Sequence, residues 1–229
     1  MDEKLKILEK EWSGKLITSD YEVVSILGQG AFGSVVRVQN TTNPTEQYAV
    51  KIIKREKLGK PGSKQFKLYN RLMTEKKITG LINQENILSC KKFINEKSNP
   101  YVFMFLDICN NGELDQYIKN QYLKKKIQIR ECEAIHLLGS ISNGFKVLNW
   151  YNIMHRDVKP ANILVKDGVI KIADFGGMRF GSKQTGTVFG TRKYLAPEIL
   201  QIYVSTLKNN HHEMQGNTHF YDSRVDVFS

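Results

Sequence analysis

Two short polar clusters, each beside an apolar segment, carry the side chains best suited to chemistry. The first reads His155-Arg-Asp157-Val-Lys159-Pro-Ala-Asn162, and the second is Asp174-Phe-Gly. Together they supply a carboxylate that can act as a base, a cation and several oxygen ligands. Carboxylate and amide oxygens suit Mg²⁺, which is commonly held by few protein ligands together with substrate phosphates. The pattern therefore predicts magnesium-assisted chemistry around these two clusters.

A second group of candidates lies nearer the N-terminus. Gly28-Gln-Gly30-Ala-Phe-Gly33 stands between two predicted strands, and bare glycines let backbone N–H groups approach phosphate oxygens. A flexible hairpin is the alternative, and the absence of a following helix argues against a dinucleotide-binding unit. Lys51 lies inside an apolar strand. A buried ammonium needs an anionic partner, for which Glu75 is the candidate, whereas an edge-strand lysine that faces solvent needs none.

The elements that must position these residues form a strand-rich part followed by a helix-rich part. Strands are predicted over residues 21–27, 34–39, 47–53, 87–94 and 101–108, and helices over 2–12 and 64–82. Helical periodicity then dominates at 113–125 and 130–150, and short apolar strands return at 163–165 and 170–173. This order predicts an α+β protein in two lobes, with a break near residues 107–111.

Taken together, the motifs resemble the catalytic domain of a eukaryotic protein kinase of the serine/threonine type. In family order they are the glycine loop, Ala-Val-Lys51, His-Arg-Asp157, Asp174-Phe-Gly and Ala-Pro-Glu198. Lys159, two residues after Asp157, is the serine/threonine-type choice. Residues 51–58 and 109–114 look most like calmodulin-dependent-type kinases.

The resemblance implies a bilobal protein-kinase-like fold. After an N-terminal extension (1–20), the N-lobe (21–106) would hold a five-stranded antiparallel sheet plus a helix. A hinge (107–111) would lead to a mainly helical C-lobe (112–229). Asp226 resembles the aspartate that supports the catalytic loop at the start of the central C-lobe helix, and in the family further helical segments follow. We therefore expect this chain to hold a C-lobe truncated inside that helix.

The resemblance also implies a role for each candidate residue. Lys51 would hold the α- and β-phosphates of ATP and pair with Glu75. The complete set of implied ATP contacts is Gly28, Gly30, Gly33, Val35, Ala49, Lys51, Leu106, Asp107, Cys109, Glu113, Leu164 and Asp174.

For the transfer itself, the resemblance implies that Asp157 accepts or orients the proton of the substrate hydroxyl. Lys159 would steady the γ-phosphate, and Asn162 and Asp174 would hold Mg²⁺. Thr191 resembles the threonine that braces the catalytic aspartate. Two functional classes follow: a serine/threonine kinase that uses ATP and Mg²⁺ on protein substrates, or a catalytically incompetent truncated kinase that binds nucleotide or a partner.

The resemblance also predicts regulation by phosphorylation. Thr187 matches the usual phosphorylation site, and Arg71, Arg156 and Arg179 occupy positions that clasp such a phosphate in related kinases. A phosphate on Thr187, added by an upstream kinase, could lock the helix that carries Glu75 against the loop. The alternative is that these arginines cap structure or face solvent.

Two departures from the family pattern stand out. Thr79, four residues after Glu75, occupies a position that is usually bulky and apolar, so we expect it to weaken the active position of its helix. Residues 201–220 form a polar insert that contains His211, His212 and His219. Metal binding by this trio is one reading, and a flexible loop is the other.

Charge, cysteine content and apolar stretches indicate which partners and which cellular compartment to expect. The 229 residues carry a net charge of +11, and residues 51–100 hold 13 Lys/Arg against 4 Asp/Glu. No aromatic interleaving accompanies this basic quarter, so we expect a solvated or partner-facing surface and no nucleic-acid site. The three cysteines show neither a disulfide nor a zinc pattern. With no signal peptide and no apolar stretch of bilayer length, the sequence predicts a cytoplasmic protein, with a nuclear location as the alternative.

Overall fold

The fold is that of a computed structural model, which describes residues 3–30, 33–63, 65–181, 184–185, 188–208 and 220–229. Its contacts divide the chain into two compact units. The first comprises Met1–Asn83 and Leu88–Asn110, and the second comprises Gln84–Ile87 and Asn111–Ser229. The division after Asn110 falls inside the predicted hinge, whereas the assignment of residues 84–87 to the second unit differs from the predicted boundaries.

The first unit is built around an antiparallel sheet. In chain order its elements are α1 (Glu3–Trp12), β1 (Leu16–Thr18), β2 (Tyr21–Gly30), β3 (Gly33–Asn40), β4 (Gln47–Lys54), α2 (Phe66–Leu81), β5 (Cys90–Ile94) and β6 (Tyr101–Leu106). The strand order is β1-β2-β3-β4-β6-β5. Strands β2 to β6 are the predicted five, and β1 adds a sixth, three-residue strand at the edge beside β2.

Alternation along the strands divides the side chains of the sheet between its two faces. One face carries the apolar core of the unit, formed by Val36, Val38, Val50, Ile52, Phe103 and Phe105. Helix α1 packs on that face through Leu8 and Trp12, and the Trp12 ring meets Tyr101 edge-on at 5.1 Å between centroids. Because side chains of successive residues point to opposite faces, Lys51 and the residues in register with it lie on the other face.

The second unit combines helices with short strands. In chain order these are β7 (Gly112–Glu113), α3 (Leu114–Ile118), α4 (Glu131–Trp150), β8 (Ile153–Met154), β9 (Ile163–Lys166), β10 (Val169–Ile172), β11 (Arg179–Phe180), β12 (Gln184–Thr185), α5 (Pro197–Lys208), β13 (Phe220–Tyr221) and α6 (Arg224–Phe228). The strands pair as β10-β9-β7, β11-β8 and β12-β13. The predicted helix 130–150 is confirmed as α4. The predicted helix 113–125 is interrupted: α3 is followed by a π-helical turn over Lys119–Leu123.

The prediction of a strand over residues 87–94 was wrong at its beginning, because the first of these residues pair elsewhere. The Asn86 side-chain amide donates to Ile170 O at 3.1 Å, and the backbone N–H of Ile172 donates to Asn86 O at 2.8 Å. Ile87 also forms a parallel bridge with Ile172. These bonds bind Gln84–Ile87 to β10, so β5 begins only at Cys90.

Among the described residues, the helices are all too short or too polar to span a lipid bilayer.

Candidate active site

A buried ion pair joins β4 to α2 in the first unit. Lys51 Nζ lies 2.9 Å from Glu75 Oε1 and 2.7 Å from Oε2, and the two side chains are only 11% and 6% exposed. Leu72 and Ile78, one turn to either side of Glu75 on α2, are buried as well. Burial of an isolated ammonium is costly, and the two carboxylate oxygens offset that cost. The structure thus forms the pair that the sequence predicts.

Thr79 is accommodated in α2 by a bond within the helix. Its side chain is 2% exposed, and Oγ1 donates to the carbonyl oxygen of Glu75 at 2.8 Å. A hydroxyl that bonds to the carbonyl four residues earlier leaves no unsatisfied polar group, although such bonds slightly bend helices. The expected weakening is not visible as a loss of the ion pair, since Glu75 keeps both contacts to Lys51.

Four residues of β3, β4 and β6 that the resemblance assigns to ATP binding share one face of the sheet. Val35 is in register with Lys51, and Ala49 is in register with Leu106. Residues directly opposite one another, or two apart on a strand, point to the same side. Val35, Ala49, Lys51 and Leu106 therefore line the face opposite to the one that α1 covers.

The glycine motif forms the end of the β2–β3 pair. Gly28 is in register with Val35, and Gly30 with Gly33. A Cβ at Gly33 would lie 1.9 Å from the carbonyl oxygen of Ile52, so this position requires glycine for close strand approach. A Cβ at Gly28 would meet none of the residues that the structure describes within 4 Å, which fits a position where a ligand approaches the backbone.

Residues of the predicted hinge follow β6. The backbone N–H of Asp107 donates to Ser89 O at 3.3 Å, and its carboxylate lies 3.5 Å from Lys91 Nζ. Cys109 is half-buried. Within the second unit, Glu113 and Leu164 are in register where β7 pairs with β9.

The loop that follows β8 in the second unit is held by Asp226. One carboxylate oxygen accepts the His155 N–H at 2.7 Å, and the other accepts the Arg156 N–H at 2.7 Å. Burial raises the pKa of Asp226, against the lowering by His155, Arg156 and the two backbone N–H groups. The fully buried His155 ring also contacts the Ala173 carbonyl through Nε2, at 2.9 Å. The sequence-based role of Asp226 as a support of this loop is therefore seen in the geometry.

Asp157 is the carboxylate of this loop, and each of its oxygens accepts two hydrogen bonds. Oδ1 accepts the backbone N–H and the hydroxyl of Thr191, at 2.9 and 2.8 Å. Oδ2 accepts Lys159 Nζ at 2.8 Å and Asn162 Nδ2 at 3.0 Å. Burial alone would raise the pKa of Asp157, but the hydrogen bonds from Lys159, Thr191 and Asn162 outweigh it and hold the pKa below its usual value. Asp157 is thus held as a carboxylate, and Thr191 lies where the sequence predicts.

Asn162 and Asp174 are brought together through the backbone. The Ala173 N–H donates to the Asn162 carbonyl at 2.9 Å, which places Asp174 next to that pair. Asn162 is buried, and its amide nitrogen donates to Asp157, so the amide oxygen is the atom suited to a metal. In the described part of the chain, no three His, Cys, Asp or Glu side chains cluster as a metal site. The oxygen donors of Asn162 and Asp174 fit Mg²⁺, which needs few protein ligands.

The structure describes the three arginines of the predicted regulatory site but not the threonine. Thr187 lies outside the described residues, as do His211, His212 and His219 of the proposed metal trio. Arg71 lies on α2, one turn before Glu75. Arg179 is exposed and donates to Met178 O at 3.3 Å.

Arg156 is engaged inside the second unit. It is 7% exposed, Nε donates to Gly177 O at 2.9 Å and Nη1 donates to the Tyr221 hydroxyl at 2.8 Å. Sequence reasoning did not identify Tyr221, because no local pattern links two residues 65 positions apart.

The two groups of side chains, one in each unit, are those of a protein kinase. Residues 21–229 match the family described as protein kinase domain. The chain belongs to this family.

Similar proteins with printed names are serine/threonine-protein kinases. Serine/threonine-protein kinase PLK4 of Xenopus laevis is 34% identical over 184 residues, which are 79% of this chain and 18% of the relative. Serine/threonine-protein kinase atg1 of Dictyostelium discoideum is 31% identical over 196 residues, 82% of this chain and 28% of the relative. Serine/threonine-protein kinase ATG1c of Arabidopsis thaliana is 33% identical over 198 residues, 84% and 25% respectively. The chain spans less than a third of the length of each of these relatives. Its similarity to calmodulin-dependent-type kinases stays a prediction.

Proposed function

We propose that this chain is a serine/threonine protein kinase that transfers the γ-phosphoryl group of ATP to hydroxyl groups of protein substrates. The observation that carries the proposal is the Asp157 carboxylate, which four donors from Thr191, Lys159 and Asn162 fix in place. A carboxylate that is held ionised and oriented can accept the proton of a substrate hydroxyl.

The four bonds also suggest which donor gives way to the substrate. A carboxylate has about four lone-pair sites, so a substrate hydroxyl must replace one of the present donors. Lys159 is the donor best able to leave, because its flexible ammonium is attracted by a phosphate. We infer that Lys159 moves from Asp157 to the phosphoryl group when both substrates are bound.

In the proposed step, the substrate hydroxyl gives its proton to Asp157 while its oxygen forms a bond to the γ-phosphorus. The bond from that phosphorus to the bridging oxygen breaks, and ADP leaves with the electron pair. Lys51, oriented by Glu75, would hold the α- and β-phosphates, and Asn162 and Asp174 would hold Mg²⁺. When bound, Mg²⁺ supplies positive charge that offsets the charge developing on the transferred group.

The test compares wild-type chain with Asp157→Asn in phosphate transfer from labelled Mg-ATP to a generic basic protein. We expect Asp157→Asn to lower the rate by about 10²- to 10⁴-fold, since it removes the base and inserts a donor facing Lys159. Asp222→Asn, the same change at a residue paired with the exposed Arg224, is the matched control and should keep activity. A wild-type rate no higher than that of Asp157→Asn would contradict the proposal and support the incompetent binding module.

We further propose that an upstream kinase activates the chain by phosphorylating Thr187, with Arg71, Arg156 and Arg179 as partners of the phosphate, for which Arg156 would give up its bond to the Tyr221 hydroxyl. Support comes from Arg71, which lies on the helix of Glu75, and from the exposed Arg179. Thr187→Ala should then be less active than the phosphorylated wild type, with the phosphate verified by mass spectrometry. Equal activity of the two proteins would refute this regulation.

We also propose a cytoplasmic location. Cys90, Cys109 and Cys132 are all free thiols, as is usual in reducing compartments. Imaging of the tagged chain in cells would test the assignment.

A further inference from the structure

Phe189 lies in a tight contact just before Thr191. A Cβ built on Gly177 would lie 2.0 Å from Phe189 Cε1, so the ring occupies the space that any side chain at position 177 would need. The Arg156 guanidinium lies over the same ring, 5.0 Å from its centroid. This distance is within the range of a cation–π interaction. The ring is thus held by a glycine backbone and by a buried cation.

Arg156 is itself held by three hydrogen bonds. Arg156 bonds to Gly177 O through Nε, to the Tyr221 hydroxyl through Nη1, and to Asp226 through its backbone N–H. Its φ of +69° is in the left-handed region, so these contacts hold a conformation that a non-glycine residue rarely adopts. Phe189 therefore packs against a rigid surface.

The segment from Phe189 to Thr191 approaches the catalytic loop closely. Gly190 has φ +120°, and a Cβ there would lie 2.6 Å from the carbonyl oxygen of Arg156. One residue further, Thr191 donates its N–H and its hydroxyl to Asp157 Oδ1, and its hydroxyl accepts Lys159 Nζ at 2.8 Å. Only Gly190 separates Phe189 from Thr191, the residue that bonds to the Asp157 carboxylate.

We propose that Phe189 is a positioning residue, whose ring, seated on Gly177 and Arg156, holds Thr191 against Asp157. Gly190 alone cannot supply this restraint, because glycine is the most flexible residue of the chain. Without the ring, the segment keeps its freedom at Gly190 and loses its fixed neighbour. The inference rests on the proposed kinase function for its effect on rate, but its structural part does not.

The test uses the full chain with Phe189→Leu, which removes the ring and keeps an apolar side chain. Phe180→Leu, the same change at an exposed phenylalanine, is the matched control. We expect Phe189→Leu to lower kcat by about tenfold and to leave KM for ATP within about twofold, because the lost restraint acts on the catalytic carboxylate. Phe180→Leu should change neither value.

A double-mutant cycle separates positioning from general destabilisation. If Phe189 acts through Thr191, then Phe189→Leu should have a smaller further effect in a Thr191→Val background, which keeps only the backbone N–H bond to Asp157. Loss of the hydrogen-bonded Thr191 amide signal in nuclear magnetic resonance spectra of Phe189→Leu would agree. Unchanged kcat, or a loss that adds fully to that of Thr191→Val, would overturn the proposal. If Phe189→Leu does not fold, Phe189→Met, which better conserves the volume, carries the same cycle.

Failure of the kinase proposal can be recognised separately. A wild type that is no more active than Asp157→Asn refutes the proposed function, and the Thr191 amide then decides the role of Phe189. Retention of that hydrogen-bonded amide in Phe189→Leu refutes positioning, and its selective loss supports it.

Discussion

Gly33→Ala should destabilise the first unit through a single methyl group. A Cβ at this position would lie 1.9 Å from the Ile52 carbonyl oxygen, whereas ordinary contact begins at 3.4 Å. The obstructing atom belongs to the backbone, so it cannot rotate away as a flexible side chain would. The two strands must separate by about 1.5 Å where Ser34 is in register with Ile52.

The cost can be worked from this separation. A shift of that size breaks or strains the neighbouring ladder hydrogen bonds, at about 1 kcal/mol each. Overpacking strain adds about 1–3 kcal/mol, so we expect the free energy of unfolding to fall by about 2–4 kcal/mol. For a chain of this size that corresponds to a decrease in Tm of about 5–15 °C.

The assay is thermal unfolding followed by circular dichroism, with Gly28→Ala as the matched control. A Cβ at Gly28 meets no described residue within 4 Å, so Gly28→Ala should keep Tm within about 2 °C. Its effect should appear in KM for ATP, if the proposed nucleotide contact is correct. Equal Tm values for the two variants would refute the reasoning from strand separation.

Three further outcomes are expected. Asp226→Asn should lower the free energy of unfolding by about 1–3 kcal/mol, since one amide oxygen remains for two backbone N–H groups. Urea titration measures this loss, with Asp222→Asn as the control variant. Equal losses of free energy in the two variants would contradict the prediction. Trp12→Ala should cost about 3–5 kcal/mol in the same assay, whereas Trp150→Ala, at an 83% exposed side chain, should cost little. Burial, the larger cause, and a hydrogen bond to a neighbouring carboxylate, the smaller one, raise the pKa of Tyr48 to about 12. Because the folded pKa lies above the ordinary 10.0, the contribution of Tyr48 to stability is complete below pH 10.0 and is lost as the pH rises towards about 12. The test is an ultraviolet titration of wild type and Tyr48→Phe. A difference in tyrosinate absorbance between the two proteins near pH 10 would refute this shift.

Much of the site could be predicted because its chemistry is encoded over short distances. The motif around Asp157 places Lys159 and Asn162 within five residues, and both bond to the carboxylate. The pairing of Lys51 with Glu75 follows from the cost of a buried ammonium, which leaves few candidate partners. Alternation of apolar residues predicted the strands for the same reason: the signal lies within each strand.

The rest depends on contacts between residues far apart in the chain. The period of α1 predicted a helix, but nothing in it showed that Trp12 would pack on Tyr101. The separation of Gln84–Ile87 from β5 depends on hydrogen bonds of Asn86 to the backbone of residues 170 and 172, which no local pattern contains. The seat of Phe189 on Gly177 is likewise a matter of tertiary packing, since a lone glycine after Asp174-Phe-Gly reads as an ordinary turn residue.

The anchoring of the His155–Asp157 loop by Asp226 has a consequence for the order of events during protein synthesis. The two backbone bonds bridge 71 and 70 residues, so they cannot form when the loop first leaves the ribosome. At translation speeds of about 5–20 residues per second, Asp226 is added roughly 4–14 s later. During that interval the nascent chain already holds Lys51, Glu75 and the glycine strands, yet its catalytic loop lacks two of its backbone anchors. A ribosome-bound chain should therefore complete the sheet that carries Lys51 well before Asp226 can hold the loop of Asp157.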